Sequence, residues 1–482
     1  MEKSTLIEIL RTFTKEELAA FSDFSASPYF NKKSNVTKLF ESLKKFAPMY
    51  PPEKISKEEI WKKVFPGKKY NYGIMKNLIF DLNKLAVKFL ELENYSARII
   101  VQELCQLEAF RYKNLKQLYI KRAADTMKNL GARPLDNQSH LYRYMLYSSE
   151  MSYLDYEMLF EKGDTDYHSV INDSLLLNYC TNQIYHGINN LQYAHNRKAS
   201  LNSEIHLKAL RLLDESGLHD PYAEILKFLY IAFSGPGSRE DYENLKQSFF
   251  QNYRKCSETV QYDLAVAMIN FCRNNAQRGN SEFIKDEFIY IKLLIGDSLY
   301  KSTKISWIDQ YLFMQAVMAA CRAGEFEWAE RFITERSSEL LDSVKEQYTN
   351  MAYITLNLRR GRFHDALQYI SRVKNVDKGD KLNIKVFEFN AYYELNYYDE
   401  LKALADTTHH LLRSDRLFSQ EEKEHFKEYV KAITWLMEYK CGSDKNKGNR
   451  ELLQKTEKFV EERKTRNKLW LLQKIEELKN KL

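Results

Sequence analysis

Gly361-Arg362-Phe363-His364-Asp365-Ala366 is the stretch on which the reading of this chain turns, because two near-copies flank it at almost even intervals. Gly324-Glu325-Phe326-Glu327-Trp328-Ala329 begins 37 residues upstream, and Asn396-Tyr397-Tyr398-Asp399-Glu400-Leu401 begins 35 downstream. In each copy a turn residue separates two amphipathic runs and an aromatic follows two positions later: Phe326, Phe363 and Tyr398. Ala329 and Ala366 stand where two helices can approach closely. A period of roughly 34 to 40 residues is the size of one helical hairpin, and such hairpins stack because one alone cannot bury its apolar face. The expected fold class is all-α: an α-solenoid of helical hairpins, preceded by an N-terminal helical module and closed by capping helices.

Composition agrees with helix throughout. The last of eight prolines is Pro236, glycine is scarce at 15 residues, and no stretch alternates apolar and polar residues as a strand does. The formal charge is +7, but Lys440 to Leu482 carries 13 basic against 7 acidic residues, a local +6, which leaves the body near neutrality. A balanced body excludes a global nucleic-acid footprint. Cys105, Cys180, Cys256, Cys272, Cys321 and Cys441 are far apart and lack ligand spacing, so buried free thiols in a reducing compartment are expected. Glu8 and Arg11 interrupt any signal-peptide centre, and no run reaches the 18 apolar residues of a membrane helix, so the expected location is cytoplasmic, with no membrane partner.

Three regions are expected: an N-terminal module over 1–95, a helical-repeat array over 96–440 and basic capping helices over 441–482. Five prolines mark the first, where Thr14 with Glu17 and Ser56 with Glu59 have capping-box spacing and Asn71 can cap the helix after it. In that helix Met75, Leu78, Leu82, Leu85, Phe89 and Leu92 advance by threes and fours as one stripe. The hairpins drawn in the middle are 97–111 with 114–130, 138–161 with 166–195, 201–216 with 220–233, and 239–254 with 257–276. Gly163-Asp164 and Gly235-Pro236-Gly237 supply turns. In the tail Gly442 to Gly448 reads as a linker. Beyond it, Leu471, Ile475, Leu478 and Leu482 share one face, as a cap requires.

The copies at 324, 361 and 396 resemble tetratricopeptide repeats, convincingly over about 310–415 and loosely over 97–300. Asn396 stands for the glycine and Leu401 for the small residue, while Val317 and Ile354 occupy the small position of the first helix. The resemblance implies a superhelical array with a concave face. Ser27-Pro28-Tyr29-Phe30-Asn31, Phe65-Pro66-Gly67-Lys68-Lys69-Tyr70-Asn71 and Trp470-Leu471-Leu472 also look like a group of Bacteroidetes helical-repeat proteins, a likeness that implies a fold without a chemistry.

Few residues carry reactive chemistry. Gly235-Pro236-Gly237-Ser238 lacks the spacing and the lysine of a phosphate loop, and neither G-x-S-x-G nor HExxH occurs. Asp164, Asp166 and His168 are ligand-type residues, but on a short polar connection they read as helix caps. Asp406, His409 and His410 have i, i+3 and i+4 spacing yet no third partner, and read as a surface group. The expected function is a non-enzymatic scaffold or adaptor that binds a protein or peptide, with no cofactor. The alternative is a DNA-binding regulator in which the turn from Phe65 to Asn71 presents Lys62, Lys68 and Lys69 to phosphates. Acidic Glu58 and Glu59 dilute that patch, and Tyr95 to Ala109 reads as helix where a winged module would place a hairpin.

Overall fold

A computed structural model describes residues 1, 4–157, 166–194, 204–235, 238–303, 307–374, 378–414, 418–441 and 447–480. Among these residues there are 23 α-helices and no β-strand. The chain divides into two compact units, Met1–Cys180 and Thr181–Leu482.

The first unit opens with α1 (Thr5–Thr12), α2 (Lys15–Ala26), α3 (Ser34–Lys44), α4 (Lys57–Val64) and α5 (Tyr72–Ser96). Their starts are set locally. Thr14 accepts the Glu17 amide at 3.1 Å while the Glu17 carboxylate accepts the Thr14 amide at 2.7 Å, a complete capping box ahead of α2. Ser56 accepts the Glu59 amide, but the Glu59 carboxylate takes Lys62 at 2.6 Å, so only half of the second expected box forms. Asn71 caps α5 by accepting the Ile74 amide at 3.0 Å. α5 is the hub, packing on α1, α2 and α3. Its buried stripe is Met75, Leu78, Leu82, Ala86 and Phe89. Leu85 and Leu92 are half-buried, because the true 3.6-residue period brings Ala86 to the core line instead. Phe21 is wholly buried, with its ring 4.7 Å from Phe40 and 5.3 Å from Phe89.

α6 (Ile99–Tyr112), α7 (Lys116–Ala132) and α8 (Ser139–Glu157) complete this unit with the start of α9 (Tyr167–Ala194). Around Leu107, Tyr119, Ala123, Leu146 and Tyr153 they bury a small core of their own. The α6–α7 turn has Asn114 at φ +54, with the Leu115 amide bonded to the Phe110 carbonyl and the Asn114 amide to that of Arg111.

The second unit continues through α10 (Glu204–Ser216), α11 (Pro221–Ser234), α12 (Arg239–Asn252), α13 (Glu258–Gln277), α14 (Phe283–Gly296), α15 (Gln310–Arg322), α16 (Phe326–Arg336), α17 (Asp342–Arg359), α18 (Phe363–Arg372), α19 (Lys378–Leu395), α20 (Tyr398–Ser414), α21 (Gln420–Cys441), α22 (Lys447–Glu462) and α23 (Lys468–Lys479). In its middle, α11 packs on α12 and α13 on α14. The expected hairpins 201–216 with 220–233 and 239–254 with 257–276 are therefore displaced by one helix. The turn residues between α10 and α11 resemble those within a hairpin, which is why spacing alone misplaced the pairs. From α15 onward the pattern is regular: neighbours in sequence pack together, and α15, α17, α19, α21 and α23 also pack in series. Those are the first helices of successive hairpins, with α23 standing where the next first helix would be.

The three sequence copies end their first helices alike. Gly324, Gly361 and Asn396 have φ of +79, +75 and +60, the left-handed conformation that glycine adopts without steric penalty and asparagine tolerates. In each, the following amide reaches back five residues: Glu325 to Ala320, Arg362 to Asn357 and Tyr397 to Tyr392. That is the Schellman closure, which satisfies carbonyls left open at a helix end. Phe326, Phe363 and Tyr398 each open a second helix. Ala329 and Ala366 are wholly buried, as is Leu401 in the third copy.

The tail belongs to the core of the last hairpins. Leu453, Val460, Leu471, Ile475 and Leu478 share one apolar cluster with Leu382, Phe389, Tyr429 and Leu436. Leu482 and the turn segments Gly163-Asp164, Pro236-Gly237 and Gly442 to Asn446 lie outside the described residues.

Candidate binding groove

A cavity of about 350 Å³ opens between the first helices α15, α17 and α19 and is closed on one side by α23. Helical geometry puts its lining there. Met318 and Arg322 are one turn apart on α15, Thr355 and Arg359 one turn apart on α17, and Val386, Asn390 and Glu394 three successive turns of α19. Gly361 and Phe363 reach it from the turn after α17, and Asn467, Trp470, Gln473 and Lys474 from α23.

The polar side chains differ in how much of their bonding capacity is already used. The Asn390 Oδ1 accepts from the Tyr429 hydroxyl at 2.9 Å and from Asn467 at 3.4 Å. Burial pushes the Tyr429 hydroxyl far above its ordinary range, so it stays a neutral donor and fixes the orientation of that amide. Lys474 lies 2.7 Å from both Glu394 and Glu477; burial works against its charge, but the two carboxylates prevail and raise its pKa. Arg322 is committed to Glu287, a wholly buried carboxylate that also receives Arg273 at 2.9 Å, so one acid ties α13, α14 and α15 together. Left partnerless such a charge would be costly, and two guanidinium groups prevent that. Arg359, exposed at the rim, makes no ion pair among the described residues. The lining is also aromatic: Trp470 meets Tyr393 edge-on at 5.3 Å, and Phe363 and Phe387 line the same space.

A second cavity of about 240 Å³ lies between α9, α11 and α13. Asn189, Gln192 and Asn270 supply amides, with Asn270 donating to Gln192 at 3.3 Å. Desolvation by the surrounding helices raises the Asp263 carboxyl. The first unit has a wider depression of about 620 Å³ where α6 begins and α7 ends, lined by Ile99, Ile100 and Val101. Its Arg133 is already taken by Asp136 at 2.6 Å and stacks on Tyr142.

Of the residues singled out in the sequence, Gly361 and Phe363 line the groove, whereas Gly324, Phe326, Ala329, Ala366 and Tyr398 serve hairpin turns and packing. Asp166 caps α9 by accepting the Ser169 amide at 3.0 Å; Asp164 lies outside the described residues. Asp406 and His410 are exposed on α20, and His409 is half-buried. No group of three or more His, Cys, Asp or Glu residues among those described is arranged to hold a metal. Cys180, Cys256, Cys272 and Cys321 are buried, but Cys105 and Cys441 are exposed, contrary to the expectation that all six thiols are buried. Both lie on the outward side of their helices, which helical content alone does not reveal. Lys62, Lys68 and Lys69 are exposed on α4 and the turn after it, with the Lys68 carbonyl accepting from the Trp61 indole at 2.9 Å.

Sequence reasoning missed the part of α23 in the groove. Trp470, Gln473 and Lys474 were available as one face at i, i+3 and i+4, but nothing in the tail says which hairpin that face meets. No helix among the described residues is long and apolar enough to cross a membrane. Searches of protein-family models, of curated proteins and of solved structures find no match to this chain.

Proposed function

We propose that this chain is a non-enzymatic protein-binding scaffold, a tetratricopeptide-like solenoid of the cytoplasm whose first helices α15, α17 and α19 seat a segment of a partner polypeptide against α23. The observation that supports it is the mixed lining of the groove. Amides at Asn390 and Gln473 can exchange hydrogen bonds with a peptide backbone, Phe363, Phe387 and Trp470 offer apolar area, and Arg359 is an uncommitted cation.

The test is a photo-crosslinking amino acid placed at Gln473 in the full chain, with Lys402 on α20 as a control outside the groove. A light-dependent adduct with a protein at 473, absent at 402 and lost with Phe387→Glu, is the expected result. Retention of nucleic acid without a groove-dependent protein adduct would overturn this reading in favour of a regulator acting through Lys62, Lys68 and Lys69.

A further inference from the structure

α5 is buried on one side as the hub of the N-terminal helices, yet its opposite side carries large apolar groups that are exposed. Phe80 is 56% exposed and Val87 49%, and they are seven residues apart, two turns along one face. Lys76 lies one turn before Phe80 and Glu91 one turn after Val87, both exposed. Along the helix this face therefore reads basic, apolar, polar, apolar, acidic: Lys76, Phe80, Asn83, Val87, Glu91. Read backwards, the same order is its own complement.

We propose that this face of α5 pairs with α5 of a second copy of the chain, antiparallel, about a two-fold axis between residues 83 and 84. In that register Phe80 meets Val87 of the other copy and Lys76 meets its Glu91, and symmetry repeats both contacts, as an isologous interface requires. The charges are available. Among the described residues Lys76 makes no ion pair, and Glu91 is held by its own helix's Lys88 in an exposed pair that contributes little. One feature opposes the contact. Lys84, whose ammonium sits 4.7 Å over the Phe80 ring, comes near its own symmetry mate at the axis. The contact from Lys76 to Glu91 runs along about 22 Å of one helix, which is short for a specific interface. The dimer is accordingly a weak and reversible one, with a Kd of roughly micromolar order.

Sedimentation equilibrium of the full chain from about 1 to 200 µM at low salt tests it. The expected result is an average mass that rises from 57.2 kDa towards twice that value with concentration. Phe80→Glu should abolish the rise. Lys76→Glu sets two like-charge contacts against each other and should weaken association roughly tenfold, whereas Lys76→Glu combined with Glu91→Lys should recover it to within about threefold. All three positions are exposed, and circular dichroism checks that each variant folds. A chain that is monomeric throughout, a dimer indifferent to Phe80→Glu, or a double variant as weak as the single one would each overturn the proposal.

Discussion

The helices α1–α5 and the helices α15–α20 are built from the same kind of amphipathic segment, yet they are held together differently. In α1–α5 one long helix gathers partners from distant points of the sequence: α5 touches α1, α2 and α3, and Phe13, Phe21, Phe24 and Phe89 converge in one aromatic cluster. In α15–α20 each helix meets its sequence neighbours and the first helix of the next hairpin. A core assembled from distant segments is lost as a whole, whereas a row of nearest-neighbour contacts loses structure from the point of injury outward. The same apolar patterning thus yields a cooperative bundle in one place and a row of separable units in the other.

The largest effect expected from this contrast is that of Phe21→Ala. Truncating a wholly buried phenylalanine costs about 3–5 kcal/mol, and native-state hydrogen exchange should show α1, α2, α3 and α5 losing protection together while α15–α20 keep theirs. Loss confined to α2 would break the comparison. Ala366→Trp comes next, at about 1–3 kcal/mol, because a large ring is forced into a contact with no free surface. Its exchange signature should be strongest in α17–α19 and fade towards α15; uniform loss over the unit would show that the hairpins are not separable. Smallest are the turn residues. A side chain on Gly361 meets no atom within 4 Å, so Gly361→Ala is penalised by backbone conformation alone, about 1 kcal/mol. Asn396→Gly at the matching turn should stabilise by a few tenths of a kcal/mol, since asparagine is already strained there. Opposite shifts in melting temperature are the expected reading, and shifts of the same sign would show that the two turns are not equivalent.

The all-α class, the hairpin turns of the repeats and the caps at Thr14 and Asn71 were legible from residues alone, because each depends on neighbours within a few positions. A left-handed residue after a helix, a hydroxyl three residues before an amide and a period of 35 to 37 residues are local or near-local facts. Asn114 closes the α6–α7 hairpin by the same bonds as Gly361, and its asparagine was visible, but without a glycine or a following aromatic it lacked the grammar that marks the others.

Tertiary structure alone decided the rest. Which helices pair in the middle of the second unit depended on packing between surfaces that several neighbours could have offered, so α11 joined α12 where spacing suggested α10. The groove is of the same kind: Asn390 belongs to a repeat and Trp470 to the tail, 80 residues apart, and no pattern in either segment specifies the other. Buried charge followed suit, since Glu287 is an ordinary surface-type residue in the sequence and acquires its role only where Arg273 and Arg322 arrive from two other helices. What each segment is follows from periodicity and turn chemistry, which act over a few residues. The tertiary structure decided what each segment faces, because burial and charge pairing are properties of two surfaces and are settled only when the second one is in place.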